Sequence, residues 1–241
     1  MKKLLVLIVI IPTLVLFSCS SSSDSSQSSS DVLLKKEIWS GTTYNYSYQG
    51  NKLVSIVGSD GFYSNFTYTG DLITKIESVD PLNSFNGHDE YYYSGNNLIQ
   101  IKEYYGSVLN RKIDIVFNSD NTRTWTHNNY YGSNSITVYK DFYVNEECVK
   151  SQRLNSNGSV ANTTTFFYDT YNCRTKNITG YRYIAGWDDL DSPFHNILKT
   201  LNTTSSSNST TNFSYEYNSD GYPTSVTETN SSYTDVGQFF Y

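Results

Sequence analysis

The side chains that could do chemistry in this 241-residue chain are few and scattered. Cys148 and Cys173 are thiols, and His88, His127 and His195 fall at no recurrent position. Asp188, Asp189 and Asp191 crowd one short stretch that also holds Trp187 and Phe194. Hard carboxylate oxygens suit calcium, but the EF-hand spacing is missing, and a solvent-facing acidic loop accounts for the cluster. His88-Asp89-Glu90 has metal-ligand types. Neighbours along a strand point to opposite faces, so only His88 and Glu90 could share a site, and a solvated strand end accounts for them. No nucleophile elbow, phosphate-binding glycine loop, zinc spacing or dinucleotide fingerprint occurs. Paired carboxylates for glycoside hydrolysis leave no sequence trace, because the partners need only meet in space. The expectation is a non-enzymatic chain with no cofactor and no resident metal.

What must position these residues is a repeat. The chain is rich in tyrosine (23 residues) and poor in proline (4), and aromatic residues suit a pleated surface. Large residues recur at Tyr48, Tyr68, Tyr93, Phe117, Tyr143, Tyr168, Tyr217 and Tyr241, spaced by 20, 25, 24, 26, 25, 49 and 24 residues. We call these residues anchors. A second large residue usually stands two before each anchor (Tyr46, Phe66, Tyr91, Ile115, Phe166, Tyr215, Phe239), on the same face of a strand. Turn residues follow, as in Asn218-Ser219-Asp220-Gly221, and tolerate the positive φ of hairpin turns. Five residues after the anchor stand Leu53, Ile73, Leu98, Cys148 and Cys173; eight after stand Ile56, Ile76, Ile101 and Trp125.

This spacing predicts a β-hairpin per unit, with the plus-five residue facing the anchor and the plus-eight residue on the other face. In the second unit the turn is one shorter, so Leu72 is expected to face Tyr68. The fold class is all-β, an antiparallel meander of about sixteen short strands forming a strongly curved sheet or barrel. Lone hairpins are marginal in water, so each must stack on the next. The double spacing before Tyr217 predicts a degenerate unit with Tyr181–Tyr183 as its first strand. The irregular stretch Trp187, Asp188, Asp189, Asp191 and Phe194 then becomes a candidate binding loop, since departures from a rigid repeat often carry function.

Cys148 and Cys173 are candidate disulfide partners, an even pair in an oxidising compartment. Equivalent strands of adjacent hairpins lie roughly 9.5 Å apart against a Cα limit near about 7 Å, so pairing needs a bulge to close the gap. The tyrosines form cross-strand ladders, or, with Trp187, stacking platforms for a ligand.

The N-terminus is a targeting segment. Lys2 and Lys3 precede an apolar run from Leu4 to Phe17, short for a membrane helix. Leu16-Phe17-Ser18-Cys19 resembles a bacterial lipobox, which implies residues 1–18 as a lipoprotein signal peptide and Cys19 as the acylated residue. Residues 19–36 form a Ser-rich tether, too polar to order itself, and 37–241 the repeat domain. Asp24 resembles the export tag of Bacteroidota surface lipoproteins. Without Lys2 and Lys3 the chain carries 15 basic and 23 acidic residues, a poor partner for nucleic acid.

Tyr217-Asn218-Ser219-Asp220-Gly221-Tyr222-Pro223-Thr224-Ser225-Val226 and Tyr93-Ser94-Gly95-Asn96-Asn97-Leu98-Ile99-Gln100-Ile101 resemble YD repeats of the Rhs type. The chain is similar to small Bacteroidota lipoproteins of unknown function, for which a porin-like antiparallel sheet is implied. The first expectation is therefore an outer-membrane lipoprotein, periplasmic or surface-exposed, serving as scaffold or binding surface for a glycan or protein. The rivals are an integral outer-membrane barrel and, further off, a hydrolase using the Asp188–Asp191 carboxylates. Strands carrying Ser, Thr and Asn on both faces, such as Asn45 and Ser47 beside Tyr46, argue against the barrel in lipid.

Overall fold

The computed structural model describes residues 32–132, 134–185 and 192–241. Each anchor does sit in a hairpin. The strands are β1 (Lys36–Trp39), β2 (Thr42–Gln49), β3 (Lys52–Gly58), β4 (Tyr63–Thr69), β5 (Leu72–Asp80), β6 (Phe85–Ser94), β7 (Asn97–Tyr105) and β8 (Val108–Phe117). They continue as β9 (Thr122–Asn129), β10 (Ser135–Val144), β11 (Glu147–Leu154), β12 (Val160–Tyr168), β13 (Ile197–Thr204), β14 (Asn208–Tyr217), β15 (Pro223–Thr229) and β16 (Thr234–Phe240). Every strand pairs with its sequence neighbours, and β1 pairs with β16, so the meander closes into a sixteen-stranded antiparallel barrel. A barrel has no free edges, which removes the template for edge-to-edge association.

Leu53, Ile73, Leu98 and Cys148, each five after its anchor, face Tyr48, Tyr68, Tyr93 and Tyr143 as their spacing predicts, and all are buried. The expectation for Leu72 fails: Ile73 pairs with Tyr68, and Leu72 pairs with Thr69. The plus-eight rule also fails. Ile56, Ile76, Ile101 and Trp125 lie opposite Tyr46, Phe66, Tyr91 and Ile115, on the anchors' own face. In the first three cases a register shift falls immediately before the anchor, at Ser47/Tyr48, Thr67/Tyr68 and Tyr92/Tyr93. A bulge inserts one residue and reverses the alternation, which returns the plus-eight residue to the inside. At Phe117 no bulge occurs, and Arg123 becomes the residue opposite the anchor.

The degenerate unit does not exist. Tyr181–Tyr183 is a single 3-10 turn, and β12 pairs directly with β13. The doubled spacing is one hairpin whose turn has grown into the segment 169–196. An inserted loop and an inserted hairpin both leave the direction of later strands unchanged, so spacing could not separate them. Cys173 accordingly lies in this segment and not on a strand opposite an anchor.

The inner and outer rows have opposite characters. Residues directly opposite across antiparallel strands share a face, so the row containing buried Leu53, Ile73, Val226 and Phe239 lines the interior. One interior cluster gathers Leu34, Phe166, Ile197, Phe213, Val226 and Phe239; a second gathers Leu98, Ile113, Ile115 and Trp125. The outer row runs Lys75, Glu90, Lys102, Lys112, Asn128 across five consecutive strands, each opposite the next. Lys75 pairs with Glu77 at 2.7 Å and Lys112 with Asp114 at 2.9 Å on that same outer surface.

The barrel seam is built around Trp39. Its ring meets Phe239 edge-on at 6.2 Å between centroids, and a Cβ at Gly237 would lie 2.6 Å from Trp39 Cζ2. Gly237 is therefore the residue that lets β16 approach β1 over the indole.

Candidate binding site

All the anchors lie toward one mouth of the barrel, and the described parts of the β12–β13 connection, residues 169–185 and 192–196, form a strap across it. Polar groups pin the strap at both ends. The Arg174 Nη1 donates to Glu37 Oε2 at 3.0 Å on β1, and Asn177 Nδ2 donates to the Val32 carbonyl at 3.0 Å. At the far end, buried Glu147 of β11 accepts from Ser192 Oγ at 2.9 Å and from the His195 amide at 3.1 Å. Asp169 accepts from the Asn196 amide and side chain, and from the Tyr217 hydroxyl.

Between these ends the strap reaches across to the opposite wall. The Thr179 amide donates to the Asn51 carbonyl at 2.9 Å, in the β2–β3 turn. Gly180 has φ +79, and a Cβ there would stand 2.5 Å from the Asp71 carbonyl oxygen. Only glycine fits both the left-handed backbone and that approach. Ile184 then packs on the Leu98–Trp125 cluster.

Under the strap is a cavity of about 360 Å³ whose lining includes Leu98, Arg123, Trp125, Tyr143 and Tyr183. A smaller cavity of about 290 Å³ shares Phe117, Arg123, Tyr143 and Glu146 with it. Arg123 is the notable side chain. It holds the place opposite an anchor that Leu53, Ile73, Leu98 and Cys148 hold elsewhere. Its guanidinium carbon lies 4.7 Å from the Phe117 ring centroid on one neighbouring strand and 3.9 Å from that of Tyr143 on the other. Such contacts hold a guanidinium by its face. Burial, and then the charge of fully buried Asp141, push the Tyr143 hydroxyl and the Cys148 thiol well above their ordinary values. Cys148 is thus an unreactive, protonated thiol at neutral pH.

A second polar group sits farther along the interior. Asp89 lies opposite Glu103, and Glu103 opposite Arg111. The Arg111 Nε and Nη2 donate to Glu103 at 2.7 and 2.6 Å. Burial, and then the Glu103 charge, raise Asp89 to about 7. Burial, and then Arg111, push His127 down to about 4, where it packs on Tyr139 at 5.0 Å.

The residues singled out by sequence fare unevenly. Cys19, Trp187, Asp188, Asp189 and Asp191 lie outside the described residues. The flanks of that loop, Ala185, Ser192 and Pro193, do line the cavity. Phe194 is used by its backbone, its carbonyl accepting from the Cys173 amide at 2.9 Å. No disulfide joins Cys148 and Cys173: Cys148 donates weakly to the Lys150 carbonyl at 3.5 Å, and Cys173 lies 3.8 Å from the Thr175 hydroxyl. His88 and Glu90 do share the outer face, 3.8 Å apart. Among the described residues no group of three His, Cys, Asp or Glu side chains is placed to hold a metal. Arg123 went unnoticed in the sequence; the signal was an arginine beside the one anchor that is phenylalanine. Asp89, Glu103, Arg111 and His127 come from four consecutive strands of two hairpins, and nothing in their spacing signalled that they would meet.

The fold has a known counterpart. A crystal structure of a porin-like protein from Bacteroides vulgatus superimposes with a TM-score of 0.57 at 11% identity, covering 88% of this chain and 99% of that one. A second, a porin-like protein from Bacteroides uniformis, gives a TM-score of 0.39 at 13% identity, covering 83% and 77%. No protein-family model matches the sequence. No characterised protein sequence matches it either. The chain is therefore a closed, sixteen-stranded antiparallel barrel whose overall fold is similar to that of the Bacteroides vulgatus protein.

Proposed function

We propose that this chain is a non-enzymatic cell-envelope lipoprotein, anchored through acylated Cys19, whose barrel stands in water and binds carbohydrate under the strap. The observation that carries the first half is the outer ladder Lys75–Glu90–Lys102–Lys112–Asn128. A barrel in lipid needs an apolar outer band, and a lysine at mid-membrane costs about 2–4 kcal/mol. Three lysines fall on this one ladder, and each that reached the apolar band would oppose insertion. Large apolar side chains occur on both faces, Val57, Ile99, Val116, Phe167 and Val236 among the exposed ones, so the ladder of charges interrupts an outer surface of mixed character, while the interior is packed with Leu53, Ile73, Val226 and Phe239. The tyrosine-rich hairpins with Asn-Ser-Asp-Gly turns support a YD-type repeat as the origin of the barrel.

The second half rests on the cavity, which is concave, mixed in polarity and within the roughly 300–1,000 Å³ range of small-ligand sites. Trp125, Tyr143 and Tyr183 supply ring faces, and Asn96 and Asn97 supply amides. Residues 1–31 should be dispensable for solubility: the chain without them is expected to sediment as a single β-rich species in plain buffer. If it remains detergent-dependent, the barrel is an integral membrane protein and the lipoprotein proposal is wrong. Cys19→Ala in the full chain should abolish acyl labelling in the cell.

A further inference from the structure

We infer that the outer wall made by β10–β13, at its strap-mouth end, is a docking surface for an anionic lipid bilayer. The first observation is where the described chain starts. Asn177 of the strap donates to the Val32 carbonyl, and Leu34 belongs to the interior cluster that also holds Cys148, Phe166 and Ile197, from β11, β12 and β13. Everything before Val32 therefore attaches at the strap mouth. Residues 20–31, between Cys19 and Val32, reach at most about 40 Å even when fully extended. Acylated Cys19 thus keeps this end of the barrel beside the bilayer, a step that rests on the acylation proposed above.

The second observation is charge. The chain carries 23 acidic residues against 17 basic, yet β10–β13 contain only two carboxylates, Asp141 and Glu147, and both are buried. The outward positions hold Lys140, Lys150 and Lys199. Lys150 lies opposite Phe142 and Lys199 opposite Phe167, their ammonium nitrogens 3.6 and 4.2 Å from the ring centroids. Lys140 pairs with Asp120 at 3.1 Å; among the described residues neither Lys150 nor Lys199 has a carboxylate partner. An ammonium over a ring keeps donors free for phosphate oxygens. The wall on the other side neutralises its lysines, Lys75 with Glu77 and Lys112 with Asp114. Exposed Glu146 and Glu216 border the basic surface and confine it to these four strands.

The third observation is apolar exposure. Val144, Phe167 and Leu198 are exposed at the strap-mouth ends of β10, β12 and β13. Apolar side chains interleaved with lysines suit the headgroup layer, where rings settle at the interface and ammonium groups meet phosphates.

The test places an environment-sensitive fluorophore on single introduced thiols of the full-length protein, carried on vesicles of pure phosphatidylcholine or of an equal mixture with phosphatidylglycerol. Leu198→Cys reports the proposed face, and Thr67→Cys reports β4, across the barrel from β12. Cys148 and Cys173 are buried, and the native chain labelled in parallel gives the background. The fluorophore at 198 should shift to the blue on the mixed vesicles and not on pure phosphatidylcholine; the one at 67 should shift on neither. Lys150→Gln and Lys199→Gln should each lower the docked-to-undocked ratio by about fivefold. No shift at 198, or equal shifts on the two vesicles, overturns the docking surface and leaves the lipoprotein reading standing. A shift at both positions means that the barrel is immersed in lipid, which overturns both. A shift in detergent alone that grows with protein concentration gives the face to a second copy of this chain and overturns the assignment.

Discussion

The Tyr93 hydroxyl donates to the Ile73 carbonyl, 2.8 Å away, and Ile73 is the residue that pairs with the preceding anchor, Tyr68. The same stitch recurs. Tyr168 donates to the carbonyl of Cys148, which pairs with Tyr143, and Tyr241 to that of Pro223, which pairs with Tyr217. Tyr48 makes the equivalent bond to Leu34 at the seam. Four of the eight anchors, Tyr48, Tyr93, Tyr168 and Tyr241, are therefore packed near their own turn and hydrogen-bonded to a preceding segment of the chain. This explains why tyrosine, rather than phenylalanine or leucine, carries the repeat.

Removing the hydroxyl tests the stitch directly. Tyr93→Phe should cost about 1 kcal/mol, mostly for the sheltered bond it breaks. Tyr168→Phe, on the far wall, should cost a similar amount, and the double variant roughly the sum. Urea unfolding of the three variants measures this; changes inside experimental error would mean the hydroxyls are incidental.

Gly180→Ala attacks the strap. The new Cβ meets the Asp71 carbonyl at 2.5 Å in a left-handed backbone, a combination worth on the order of 1–3 kcal/mol. The barrel ladder does not pass through Gly180, so the damage should be local. Hydrogen exchange should rise at the Thr179 and Ile184 amides while the β6–β7 amides keep their protection. Uniformly faster exchange would show that the strap and barrel unfold together.

Gly237→Ala attacks the seam instead. With Trp39 Cζ2 at 2.6 Å from the added carbon, overpacking should cost about 1–3 kcal/mol. Trp39→Phe in the same chain should recover part of it, because the ring that clashes becomes smaller. A destabilisation unchanged by Trp39→Phe would place the conflict elsewhere.

The interior charges make a pH prediction of definite sign. Asp89, raised from 3.8 to about 7, binds its proton more tightly folded than unfolded. Its contribution is present at low pH and is lost as pH climbs from about 4 to 7, at most on the order of 4 kcal/mol. His127, lowered from 6.5 to about 4, does the opposite: stability rises as pH climbs from about 4 to 6.5. Glu103, Arg111, Tyr91 and Tyr139 surround the pair on the same face. The native protein should therefore show a shallow profile across this window. Asp89→Asn should unmask rising stability with pH, and His127→Gln falling stability. Denaturant midpoints at intervals between pH 4 and 7.5 decide it; parallel profiles for all three proteins would refute the assignment.

Read alone, the chain determines its hairpins. Aromatic pairs two apart, turn residues after them and an apolar residue five beyond the anchor are local signals, and Tyr48–Leu53, Tyr93–Leu98 and Tyr143–Cys148 meet as that spacing requires. What tertiary structure decided begins one residue farther on. A single bulged residue, Val54 between Leu53 and Ser55, reverses the alternation, so Ile56 turns inward, and side-chain period alone carries no trace of that insertion. Closure is non-local in the extreme: Trp39 meets Gly237 across almost the whole chain. It depends on the summed curvature of every strand between them. The cavity has the same origin. Arg123 is one of five arginines in the sequence, and borders the cavity in a fixed pose only because Phe117 and Tyr143 arrive from the strands on either side to hold it.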